Sequence, residues 1–135
     1  MHGGATHFPI VLTLAALACA AAARAIRDDS RRREWHRGGL WALWLAALGS
    51  VTAAGSGLIL SKWAAIGSGA LMRHHLFVWP GSIVLVGLAI WRLRSPVLGT
   101  GRREAIYLTL LALAALCMLI GGFFGGELLL MNQEQ

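Results

Sequence analysis

Charged residues are absent from four stretches of the chain, Phe8 to Ala23, Gly38 to Ser61, Leu76 to Trp91 and Ala105 to Gly126, and polar positions collect between them. A helix that crosses a bilayer needs about 20 mostly apolar residues. The second and fourth stretches meet that length unaided. The first must extend through His7 or past Arg24, and the third must take in His74 and His75 or Arg92. Arginine near a helix end snorkels to the headgroups, whereas histidine is short and stays near the depth of its own Cα. The pattern predicts four spanning helices joined by short connections. This is an all-α, integral membrane four-helix up-and-down bundle, a single transmembrane domain over residues 1–135.

The connections set an orientation. The first holds Arg24, Arg27, Arg31, Arg32, Arg33 and Arg37, the third Arg92, Arg94, Arg102 and Arg103, and the second only Lys62 and Arg73. By the positive-inside rule the first and third lie in the cytoplasm, so the second connection and both termini lie outside. Trp41, Trp44, Trp63, Trp79 and Trp91 fall near helix ends, as an interfacial aromatic belt requires. The expected location is a bacterial cytoplasmic (inner) membrane, crossed several times. Ala-rich sequence around Ala21 to Ala25 has the look of a leader cleavage site, but the cations follow the apolar run instead of preceding it, so the run is read as a span. Thr6 is the expected cap of the first helix, with Pro9 in its first turn, and Pro96 belongs to the third connection.

Composition agrees: 57% of residues are hydrophobic and 13% charged, against about 25% charged in soluble domains. The formal net charge of +6 raises nucleic-acid binding. The cations sit between apolar runs, where they orient a membrane protein, so no nucleic-acid partner is expected. Cys19 and Cys117 lie within apolar runs without metal-ligand spacing and are read as packing residues. Glycines recur at four-residue intervals, as Gly49, Ala53 and Gly57 and as Cys117, Gly121 and Gly125 beside Met118, Gly122 and Gly126, spacing that suits close helix contact.

The histidines point to chemistry. In the expected orientation His2, His7, His74 and His75 all lie at the outer level, with Gly57, Gly121, Gly122 and Gly125 and the acidic Glu127. In an up-and-down bundle the first and third helices are diagonal, about 12–14 Å apart, and inward imidazoles there can bracket an iron. The leading expectation is therefore a b-type haem (haem b) ligated by His7 and His75, or His74 in its place. Gly57, Gly121, Gly122 and Gly125 would make room for the macrocycle, and Lys62 and Arg73 would meet its propionates. His75 shares a helical face with Trp79 and Ser82, and His74 with Val78 and Gly81. Such a protein would pass electrons to a membrane or periplasmic redox partner, more an electron-transfer subunit than an independent enzyme. Two other readings stand beside it. One is a cofactor-free anchor or assembly subunit whose glycine strips bind partner helices. The other is a copper or zinc site drawing on His2, His7, His74, His75, Met72, Met131 and Glu127.

The element H-F-P-I at His7 to Ile10, preceded by M-H at Met1 and His2, the histidine opening the third helix, and G-G-E-L at Gly125 to Leu128 together resemble the four-helix membrane proteins of domain-of-unknown-function family 2231. The resemblance covers nearly the whole chain. It implies a four-helix membrane fold and a respiratory or redox context, because similar domains occur alongside cytochromes.

Overall fold

The computed structural model describes residues 2–63, 65–95 and 101–131, apart from the side chains of 2–6 and 128–131. Four helices follow one another: α1 (His2–Ala25), α2 (Asp29–Leu60), α3 (Gly69–Arg94) and α4 (Arg102–Met131). Each is long and apolar enough to cross a membrane. They form a ring in which α1 touches α2 and α4, and α3 touches α2 and α4, leaving α1 diagonal to α3. Pairing is closest between α1 and α2 and between α3 and α4, so the α2–α3 and α4–α1 seams are the slighter ones.

Lipid tails are as apolar as leucine, so these helices gain little from burying hydrocarbon. They are held by close van der Waals contact, which small residues permit. Ala16, Ala20, Ala42, Ala46 and Ala47 are buried at the α1–α2 side of the core, with Leu43, Leu85, Leu88 and Leu111 filling its centre. At Gly39 an added Cβ would lie 3.1 Å from the Cβ of Cys19, and at Gly81 one would lie 3.1 Å from that of Cys117. Both cysteines are unbridged and pack on glycine of a neighbouring helix. Large apolar side chains such as Val11, Leu48, Ile83 and Leu113 face outward, toward lipid.

Each helix outruns the apolar stretch that announced it. The first connection shrinks to a few residues because α2 starts at Asp29, so Arg31, Arg32, Arg33 and Arg37 belong to its opening turns. Asp28 caps this start: its carboxylate accepts from the Arg31 backbone N–H at 2.8 Å and the Ser30 hydroxyl at 2.6 Å, while Asp29 pairs with Arg32 at 2.7 Å. At 32 residues α2 is about 48 Å long against a hydrocarbon core of about 30 Å, which leaves length for its arginine-bearing turns to extend past that core. Likewise α1 begins at His2, which places Thr6 within the helix instead of at its cap and Pro9 in its interior instead of its first turn. Pro96 and the side chains of His2, Thr6 and Met131 lie outside the described residues.

Candidate functional site

Helices α2 and α3 meet at one end of the bundle through residues 61–68, close to the histidines. Two side chains of α3 hold this connection down. His75 Nδ1 donates to the Ile66 carbonyl at 3.2 Å, and Trp79 Nε1 donates to the Ala65 carbonyl at 2.8 Å. The backbone reverses here with positive φ at Lys62, Trp63 and Gly67. At Gly67 a Cβ would also strike Leu71 at 2.6 Å, so this position requires glycine. On the other side of α3, His74 Nδ1 donates to the Gly121 carbonyl of α4 at 2.7 Å. A carbonyl oxygen only accepts, so both rings carry a proton on Nδ1, and in the neutral ring Nε2 is then a lone-pair acceptor. His75 is 7% exposed, and its Nε2 has no hydrogen-bond partner among the described residues.

His75 lines a chamber of about 50 Å³ set between the helices and bounded by Pro9, Ser50, Gly57, Trp79 and Ser82. Ser82, 6% exposed, presents a hydroxyl with no partner among the described residues. Other buried or half-buried serine and threonine hydroxyls on these helices behave differently. Thr13 donates to Pro9, Ser50 to Ala47 and Ser56 to Ala53, each to a carbonyl of its own helix. Outside the chamber, along the slight α2–α3 seam, runs an apolar groove of about 540 Å³ between Leu58 of α2 and Ile83, Val86 and Ile90 of α3. Ala54, Trp79 and Ser82 line both spaces.

The residues singled out in the sequence are distributed unevenly around this site. His74, His75, Gly57 and Gly122 line the chamber. His7 is exposed and is not among the residues that line the chamber, although Ile10, one turn further along the same helix, is. Three glycines expected to make room are closed by neighbours: Gly121 by Val78, Gly122 by Ile10, and Gly125 by the His74 ring, with a Cβ falling 2.7, 2.6 and 3.1 Å from them. Gly57 alone of the four has nothing within 4 Å of that position. Arg73 pairs with Glu127 at 3.2 Å and stacks over Phe124, while Lys62 is exposed. Met72 is exposed, and among the described residues no three of His, Cys, Asp and Glu gather as a metal site.

Two residues carry more than their sequence context announced. Ser82 stands alone in an apolar run, two turns after His75, and only the packing reveals that its hydroxyl is unpartnered. Arg92, expected to reach the cytoplasmic headgroups, is 3% exposed at the arginine-bearing end. Its guanidinium lies 5.5 Å from the centre of the buried Tyr107 ring, and it donates to the Ser95 carbonyl at 3.1 Å.

Neither the curated proteins nor the solved structures contain a match to this chain. Residues 1–133 match the model of the family described as a predicted membrane protein, DUF2231. With four apolar helices of spanning length in a ring, the chain is a multi-pass membrane protein and belongs to that family.

Proposed function

We propose that the protein is a small membrane-embedded binding protein, placed in a bacterial cytoplasmic membrane with both termini outside, that holds a ligand at its outward histidine end through His75. The observation that carries this reading is a buried imidazole fixed by the Ile66 carbonyl through Nδ1, with Nε2 unpartnered beside a chamber. Anchoring one ring nitrogen on a carbonyl fixes the tautomer and leaves the other basic, the arrangement by which histidine takes a metal or accepts a hydrogen bond. The unpartnered Ser82 hydroxyl adds a donor in the same chamber.

The electron-transfer reading would use the same atom, with a b-type haem taking Nε2 of His75 as one axial ligand and supplying one-electron chemistry. His7 does not line the chamber, and a chamber of about 50 Å³ is far smaller than a macrocycle, so the described residues do not fit that group there. A copper or zinc ion would need further ligands beside His74 and His75. The geometry favours an organic ligand that hydrogen-bonds to Nε2, and a binding or partner-serving role over an independent enzyme.

Protein purified from haem- and metal-replete cells should be colourless, free of stoichiometric iron, copper and zinc, and should bind a small phenolic probe that perturbs the His75 ring in nitrogen NMR. His75→Ala should abolish that binding. A low-spin haem spectrum removed by His75→Ala would replace this reading with the electron-transfer one, and probe binding indifferent to His75→Ala would end it.

A further inference from the structure

The chamber and the seam beside it differ in size and character. The chamber is small and carries polar groups, whereas the groove is about ten times larger, apolar and open toward lipid. They are continuous through Ala54, Trp79 and Ser82. Along α3 the groove runs from Trp79 to Ile90, about 16 Å at the helical rise, parallel to lipid chains. Its floor is kept low by Gly55 and Gly87, each with nothing within 4 Å of where a Cβ would stand.

We infer that this end of the protein takes a long-chain lipid bearing a neutral hydroxyl, the hydroxyl reaching into the chamber and the rest of the molecule lying along the α2–α3 groove. This rests on the binding role of His75 argued above. Three features select the occupant. The His75 Nε2 lone pair accepts from a hydroxyl, the Ser82 hydroxyl has a proton and lone pairs with no other partner, and no cation among the described residues lines the chamber to hold a phosphate or carboxylate. The head is therefore uncharged. A tail is required because water would not fill so apolar a groove, and a bilayer lipid reaches it sideways without crossing the bundle. A quinol and a polyprenol share this chemistry, and the aromatic head of the first distinguishes them.

Native mass spectrometry of the full-length protein in detergent, titrated with hydroquinone, a long-chain alkyl hydroquinone and farnesol, tests the assignment. One long-chain probe should bind at least tenfold more tightly than hydroquinone, the alkyl hydroquinone if the ligand is a quinol and farnesol if it is a polyprenol. Ser82→Ala removes a hydroxyl that bonds nothing in the bundle, so it should leave the fold intact while weakening the tight probe at least fivefold. Gly87→Leu, whose side chain enters open space, should weaken the long-chain probe and leave hydroquinone unchanged. If hydroquinone binds in a His75-dependent manner while chain length and Gly87→Leu have no effect, the groove is not part of the site and only this inference falls. If no probe binds in a His75-dependent manner, the binding role itself falls with it.

Discussion

Ser82 and Ser50 lie near each other on facing helices, yet their hydroxyls meet different fates: Ser50 donates to the Ala47 carbonyl at 2.8 Å, and Ser82 donates to nothing. A buried polar group without a partner costs about 1–3 kcal/mol, so in the ligand-free protein Ser82→Ala should raise stability by about 1 kcal/mol, where Ser50→Ala should not. Thermal unfolding in detergent reads the contrast. A marked loss of stability in Ser82→Ala would mean that the hydroxyl is satisfied after all. For the histidines, long-range nitrogen–proton NMR should find a proton on Nδ1 of both rings, since each is bonded to a carbonyl there. The height of these residues along the bundle was legible in the sequence, because rise per residue converts position into distance along a helix. Their facing was not. A soluble helix marks its inner side with apolar residues, but here the lipid side is equally apolar and the periodic signal vanishes. That is why the sequence could set His7 level with His75 without showing that it does not line the chamber, and why the unpartnered state of Ser82 became visible only with the helices packed.

At the scale of the helices, the apolar runs located all four spans but stopped short of their ends. Arginine and glutamate are good helix formers, and the Asp28 cap lets α2 begin within the charged segment, so a connection expected to hold six arginines is mostly helix. The cap gives a signed pH dependence. The Arg31 backbone N–H, and then the Ser30 hydroxyl, hold the Asp28 carboxyl below the ordinary carboxylate range. A carboxylate with a lowered folded value contributes stability above its unfolded value and loses it as pH falls through the folded one. Amide exchange at Arg31 to Arg33 should therefore accelerate below the ordinary carboxylate range, and Asp28→Asn, which still accepts from the backbone, should flatten that response. The glycines divide in the same structural terms. Gly81 faces the Cys117 Cβ closely, so Gly81→Leu should force α3 from α4 and cost about 1–3 kcal/mol, whereas Gly55→Ala, entering open space, should be neutral or slightly stabilising. Unfolding in detergent distinguishes them, and equal losses at both positions would refute the assignment of Gly81 to the interface.

For the molecule as a whole, the distribution of charge argues which end faces the cytoplasm. Of twelve Lys and Arg residues, all but Lys62 and Arg73 lie at the end where α1 meets α2 and α3 meets α4. Translocating that end would carry the arginines of two connections across the bilayer, whereas the histidine end presents one lysine and an arginine already paired with Glu127. The inner leaflet's anionic headgroups add attraction of about 1 kcal/mol for each cation near the surface. Arg92 contributes differently, because it is turned inward over Tyr107 and not toward headgroups. The expected topology thus has the arginine-bearing end inside and the His75 chamber opening toward the outer leaflet, where a lipid ligand would enter. Replacing Cys19 and Cys117 with alanine gives a background for single-cysteine probes. In intact cells a membrane-impermeant maleimide should label Ser68→Cys, which is exposed at the histidine end, and should reach Ser30→Cys, exposed at the arginine end, only after the cells are opened. The reverse pattern would place the chamber in the inner leaflet and overturn the topology while leaving its geometry intact.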